Sequence, residues 1–242
     1  MERKKYLFVI LFSLFTLVVA GQSNKSIYSA YASGNMYKWK YSMDSLAAKP
    51  AKTNKENLDL VNFQYGYIAW CIGKKKKSEA EFVMNKSKTI VELLEKQKYN
   101  LSMLYAYKAA FVGFEIGISP YKAPFLGSQS SDYANQSIAL NPKNAFAHAQ
   151  LGNIALHTPK IFGGSKSEAV QHYIKALILM QADSKNIEDN WNYLNLLASI
   201  INTYMELEQF KSAKTYSEKT LTIEPEFDWV KNKLYPEILK NL

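Results

Sequence analysis

Apolar positions along most of the chain recur every three or four residues, which is the spacing of one face of an α-helix. In 77–94, for example, Phe82, Val83, Ile90 and Val91 follow this spacing. No segment alternates apolar and polar residues over the length of a strand, and no Asn-Gly or Asp-Gly hairpin turn occurs. The pattern therefore predicts an all-α protein.

Two stretches of the chain repeat each other about 40 residues apart, a period typical of stacked helix pairs. Gly113–Pro120 has the sequence GFEIGISP, and Gly152–Pro159 has the sequence GNIALHTP. A Phe- and Gly-containing stretch and then an apolar segment follow each of them. We expect these stretches, Pro120–Ser130 and Pro159–Ser165, to be loops inserted between the two helices of a pair.

The predicted elements divide the chain into four parts. Residues 1–20 are a predicted signal peptide, 26–56 an N-terminal capping hairpin, 57–225 an array of helix pairs and 226–242 a C-terminal capping helix. Proline cannot continue a helix without loss of a hydrogen bond, so Pro236 is expected to kink or split the last part.

The helix pair in 145–181 carries the residues of a known family. Gly152 lies in the middle of its first helix, Ala169 begins the second helix, and Tyr173 follows four residues later. Small residues let two helices cross closely, and an aromatic ring fills the gap between pairs. In these positions the chain resembles the tetratricopeptide repeat (TPR) proteins. The resemblance extends over roughly 58–225, and the inserted loops are similar to those of exported bacterial members. The resemblance implies a right-handed α-solenoid of TPR-like antiparallel helix pairs with a C-terminal capping helix.

The N-terminus has the features of an export signal. A charged segment, 2–5, precedes an apolar run, 6–19, that is shorter than the about 20 residues needed to span a bilayer. We expect cleavage after Ala20 or Gly21, which gives a periplasmic or secreted protein without a transmembrane segment. An uncleaved anchor is the alternative interpretation.

The chain is basic, with a net charge of +9, but its only arginine is Arg3. Because arginine is the preferred side chain for phosphates and guanine edges, this composition argues against a nucleic-acid partner. The run Lys74–Lys77 is interpreted as a solvated loop, with a weak contact to anionic lipid or polysaccharide as the alternative. Cys71 is the only cysteine, so no intrachain disulfide forms, and its apolar neighbours predict a buried thiol.

Residues with the spacing of a catalytic or metal site are not found. The three histidines, His148, His157 and His172, lack the spacing of zinc ligands, and no nucleophile motif or paired catalytic carboxylate stands out. The segment 162–166 lacks the spacing of a phosphate-binding loop, so we expect a turn followed by a helix cap at Ser165 or Ser167. The sequence thus predicts no enzyme activity, no metal site and no cofactor.

A binding role is the better hypothesis, because the first helix of each pair in such an array lines a concave groove. An asparagine amide both donates and accepts hydrogen bonds, so it can hold the backbone of an extended peptide. We expect the loop aromatics to cover one end of the groove, with core packing or a seal between repeats as the alternatives. The candidate partner-binding residues are groove-side amides, groove-side aromatics and loop aromatics: Asn153, Asn202, Tyr65, Phe114, Phe146, Tyr121, Phe125 and Phe162.

The predicted function is that of an exported, non-catalytic scaffold that binds a protein or peptide partner. The first alternative is a small-ligand-binding accessory protein of a periplasmic transport system, which an enclosed pocket would favour over an open groove. The second is a structural component of the envelope. The sequence leaves the oligomeric state and the identity of the partner open.

Overall fold

The computed structural model describes residues 24–242, and every regular element within them is a helix. The all-α prediction is therefore confirmed. The predicted signal peptide, 1–20, and its cleavage site lie outside the described residues.

The α-helices of the described residues are, in chain order, α1 (24–32), α2 (Met36–Ala48), α3 (Asn54–Gly73), α4 (Lys77–Lys96), α5 (Leu101–Ile118), α6 (Ala123–Leu140), α7 (Ala145–His157), α8 (Lys166–Gln181), α9 (Trp191–Glu206), α10 (Phe210–Ile223) and α11 (Tyr235–Lys240). Short 3-10 turns lie in three connections, at Pro120–Lys122, Lys160–Phe162 and Ser184–Asn186. A π-helical turn, Val230–Leu234, leads directly into α11. Pro236 lies in the first turn of α11, and the backbone stays helical from the π-helical turn into α11. The predicted split of the last segment is therefore not observed.

Side-chain caps fix the starts of several helices. The Thr53 hydroxyl accepts the Glu56 N–H, and the Glu56 carboxylate accepts the Thr53 N–H, which makes a reciprocal capping box at α3. The Asn144 side-chain oxygen accepts the Ala147 N–H at the start of α7, and the Ser165 hydroxyl accepts the Glu168 N–H at the start of α8. Each cap satisfies an N–H group that has no partner inside its helix.

One of the two predicted loops is wrong. The stretch Pro120–Ser130 is mostly helical, because α6 already begins at Ala123. Pro124 lies in its first turn, where the missing N–H of proline is not needed for the helix. The second stretch, Pro159–Ser165, contains a single 3-10 turn and no α-helix, as expected, and Gly163 closes it with a φ of +92° that favours glycine.

Four antiparallel pairs follow the N-terminal hairpin: α3 with α4, α5 with α6, α7 with α8 and α9 with α10. One described helix, α5, is long and apolar enough to cross a membrane by length and composition alone. It packs against α3, α4, α6 and α7, and this central position accounts for its apolar character.

The first helical hairpin packs against the last pair. Tyr31 of α1 lies 5.4 Å from Trp191 and 5.4 Å from Phe227, and its hydroxyl donates to the Asn195 side chain at 2.8 Å. Trp39 of α2 meets Trp191 edge-to-face at 4.9 Å. In an open solenoid each unit contacts only its neighbours. Here the first and last units meet, so the array closes on itself.

Cys71 is fully buried in the core beside α4, in agreement with the predicted thiol. Burial and the nearby Glu79 carboxylate raise the pKa of the Cys71 thiol to about 11. The thiolate is the reactive form, so the raised pKa and the lack of access both suppress reaction. We therefore expect Cys71 to resist Ellman's reagent at mildly alkaline pH in the native protein and to react at once in denaturant. Rapid labelling of the native protein would contradict this placement.

Candidate functional site

The first helices of the four pairs, α3, α5, α7 and α9, form one concave groove together with part of α8 and the connections between pairs. The groove encloses about 290 Å³, close to the lower limit for small-molecule pockets. Nine of the 18 asparagines of the chain line it, and Lys143 is the one charged side chain among the described lining residues. The asparagines are Asn62, Asn100, Asn141, Asn144, Asn153, Asn186, Asn190, Asn192 and Asn195. The described lining of the groove is therefore rich in amides and almost uncharged.

An aromatic cluster around Tyr65 forms one wall of the groove. Phe114 stacks on Tyr65 at 5.2 Å with an angle of 22° between the rings, and Phe146 meets it edge-to-face at 5.1 Å. Tyr107 lies 4.7 Å from Phe146. Tyr65, Tyr107 and Phe146 all line the groove, so flat apolar surface stands next to the amides.

Asn62 connects three helices at the groove. Its Nδ2 donates to the Tyr107 hydroxyl of α5 at 2.8 Å. Its Oδ1 accepts from Trp191 Nε1 at 2.6 Å and from Asn192 Nδ2 at 3.2 Å, both at the start of α9. A side chain with partners on several elements keeps a single orientation, so this part of the wall is fixed before any ligand arrives.

A second chain of hydrogen bonds runs through α7. The Tyr173 hydroxyl donates to Asn153 Oδ1 at 2.7 Å, and Asn153 Nδ2 donates to Gln150 Oε1 at 3.1 Å. Gln150 Nε2 in turn donates to the Tyr65 hydroxyl at 3.4 Å. The amides of this wall are thus oriented by the protein itself, which lowers the entropy that ligand binding must overcome.

The tyrosines of the groove stay neutral. Burial raises the pKa of Tyr65, Tyr107 and Tyr173 above the ordinary value, because it disfavours the phenolate. Among the described residues, no histidine or cysteine lines the groove. Within 24–242, no group of three or more His, Cys, Asp or Glu side chains could hold a metal ion. The groove can therefore pack against a ligand and can donate and accept hydrogen bonds through neutral groups.

The structure brings three of the predicted site residues together, since Tyr65, Phe146 and Asn153 all line the groove. Phe114 lies behind this lining, stacked on Tyr65. Asn202 lies outside it, and its Nδ2 donates to the Ala198 carbonyl of its own helix at 2.8 Å. The two asparagines that occupy matching turns of α7 and α9 therefore have different surroundings.

The three loop aromatics are not part of the groove lining. Tyr121, Phe125 and Phe162 are 74%, 82% and 74% exposed, and none of them contributes to the groove. The structure thus does not place them as a cover over it.

Sequence reasoning missed the asparagines just before α9 and in its first turns. Asn186, Asn190, Asn192 and Asn195 lie within a single ten-residue stretch at the start of α9, and all four line the groove. Four asparagines within ten residues were the feature of the sequence that could have indicated this part of the groove lining.

No protein-family model matches the chain, and no curated protein matches it. Among solved structures, the chain is similar to the HusA haemophore from Porphyromonas gingivalis, with a TM-score of 0.57 and 18% sequence identity. The alignment covers 78% of this chain and 90% of that one. At this identity the likeness shows that the two proteins share a helical fold.

Proposed function

We propose that the protein is a non-catalytic binding protein that holds a flat small molecule in its groove. The observation that carries this proposal is a pre-oriented wall of amides beside the aromatic rings that line the groove, together with Lys143. The faces of a flat ligand pack on Tyr65 and Phe146, and its polar edges hydrogen-bond the amides. Lys143 suits a single anionic substituent.

A porphyrin is the ligand class to test first. The similar structure is called a haemophore, a name that denotes a haem carrier, and the shared fold supports this choice. The groove offers aromatic surface for the ring and Lys143 for a carboxylate substituent. It lacks the histidine and cysteine that most often bind haem iron, and its tyrosines are neutral. The ring rather than the iron is therefore the recognised part, so haem and the metal-free porphyrin are expected to bind alike.

Filling the groove is expected to abolish this binding. Ala149 lies on the groove face of α7, and Ala149→Phe places a ring in the space that the ligand would occupy. We expect haemin and metal-free protoporphyrin each to give a saturable absorbance shift with the unaltered protein. With Ala149→Phe, we expect the affinity for both to fall by at least about tenfold, which corresponds to about 1.4 kcal/mol.

Ala139→Phe is the matched control, because Ala139 is exposed on α6 and outside the groove. This variant should bind both porphyrins like the unaltered protein. Equal losses in the two variants would contradict the groove as the site. Absence of saturable binding to either porphyrin would contradict the ligand class.

A peptide partner is the second candidate, because an amide-lined open groove also suits the backbone of an extended peptide. The scaffold interpretation predicts that crosslinked capture from the envelope fraction recovers a specific protein. That capture should be lost with Ala149→Phe and retained with Asn202→Ala, whose side chain lies outside the groove. Recovery of a small molecule instead, released on denaturation, would favour the carrier.

Two further predictions from the sequence belong to this proposal. We propose that the helix pairs are TPR-like and right-handed, which the close crossing at Gly152 supports. We also propose export through residues 1–20, to the periplasm or beyond, where such a carrier would serve as an accessory of a transport system. N-terminal sequencing of the exported protein tests the second point, because cleavage leaves Gly21 or Gln22 as the first residue.

A further inference from the structure

The connections inside the helix pairs lie together at one edge of the molecule. At one end of α5 and α7, Asn144 Nδ2 donates to Ser102 Oγ at 2.8 Å, so both helices start side by side. At the other end, a Cβ on Gly117 would lie 4.0 Å from Ile72, so α3 and α5 also finish side by side. We call the connections at this second end the loop edge, which comprises residues 73–77, 119–125 and 158–166.

Large apolar side chains project from the loop edge. Tyr121, Phe125, Ile161 and Phe162 are 74%, 82%, 85% and 74% exposed. They come from two successive helix pairs and lie on the same edge of the molecule. Exposed apolar groups gathered in this way mark a surface that contacts another apolar phase.

The same edge carries unpaired positive charge. Lys74, Lys75 and Lys160 are exposed, Lys122 is half-buried, and none of the four has an ion-pair partner in the part of the chain that the structure describes. The remaining lysines of the edge pair with glutamates. The loop edge therefore combines protruding rings with free ammonium groups.

We propose that the loop edge docks the protein on an anionic lipid surface. Phe125, Ile161 and Phe162 insert at the boundary between headgroups and acyl chains, and the free lysines contact lipid phosphates. Aromatic and lysine side chains together are the composition of interfacial membrane contacts. Lysine is depleted in protein–protein interfaces, which favours a membrane over a protein as the occupant. Asn100, Asn141 and Asn190 line the groove from the connections between pairs, which lie at the end opposite the loop edge. Docking through the loop edge therefore leaves that end of the groove open.

A position-specific fluorophore tests which edge meets the membrane. The environment-sensitive dye NBD is attached to Phe162→Cys in the full chain, while the buried Cys71 stays unlabelled. With phosphatidylcholine vesicles that contain phosphatidylglycerol, we expect a severalfold rise and a blue shift of emission. The same dye on Lys96→Cys, at the far end of α4, should not respond. Equal responses at both positions, or no response at Phe162→Cys, would overturn the proposal.

Charge removal supplies a second readout that does not depend on the dye. Changing Lys74, Lys75 and Lys160 together to Gln should weaken partition to the anionic vesicles by at least about tenfold. Each lysine near an anionic surface adds to the binding free energy, and the variant lacks three of them. The matched control carries three Lys→Gln substitutions at exposed lysines outside the loop edge, Lys96, Lys98 and Lys185. It should bind the vesicles almost like the unaltered protein. Equal losses of vesicle binding in the two triple variants would also overturn the proposal. So would binding of a protein at the loop edge when the vesicles are not bound.

Discussion

Replacing Gly66 with alanine is expected to lower the free energy of unfolding by about 3 kcal/mol. A Cβ at this position would lie 2.5 Å from Trp39 and 2.8 Å from Trp191, far inside normal contact distances. Neither indole can move freely, because Trp39 Nε1 donates to the Phe63 carbonyl and Trp191 Nε1 donates to Asn62. Urea denaturation followed by circular dichroism measures the effect.

Gly73→Ala is the matched control, since Gly73 ends the same helix and a Cβ there meets nothing within 4 Å. Alanine is the better helix former, so this variant should be unchanged or more stable by up to about 1 kcal/mol. If Gly66→Ala were as stable as Gly73→Ala, the close contact between the first hairpin and the last pair would be wrong.

The second large effect is expected for Gly152→Leu, which should destabilise the protein by about 1–3 kcal/mol. A Cβ at Gly152 would lie 2.5 Å from the Tyr173 ring, which is almost completely buried. Displacing this ring also breaks its hydrogen bond to Asn153 in the groove wall. The variant should therefore lose ligand affinity as well as stability, which porphyrin titration and urea denaturation measure on the same sample.

Gly113→Leu provides the comparison, because Gly113 lies in the first helix of the preceding pair, is exposed and has nothing within 4 Å of a Cβ. Leucine is a better helix former than glycine, so this variant should be unchanged or more stable by up to about 1 kcal/mol. A loss of less than about 0.5 kcal/mol for Gly152→Leu would contradict the tight crossing of α7 and α8.

Most of the helices could be predicted, because the apolar periodicity of a helix and the residues that begin and end it are local features of the sequence. The apolar spacing in 77–94, for example, predicted the helix that is observed as α4, Lys77–Lys96. The start of α6 was missed because Pro124 and Gly127 usually interrupt helices. Proline in a first turn does no harm, however, and one glycine costs only about 1 kcal/mol.

The candidate site was predicted in part, for a similar reason. Tyr65, Phe146 and Asn153 follow from the rule that first helices line the groove. Asn62 was missed because its role depends on Trp191 and Asn192, which are far away in the sequence. No local pattern shows that two such segments meet, and the contact of Trp39 with Trp191 was invisible for the same reason.

The meeting of the first hairpin with the last pair also limits how such a chain can change its length in evolution. Open repeat arrays gain or lose a unit easily, because each unit contacts only its neighbours. In this protein, insertion or deletion of one pair would move Trp191 away from Trp39 and Tyr31, and would expose apolar surface at both ends. The number of pairs is therefore set by the closure, and relatives of the same design should differ in their connections rather than in their repeat count.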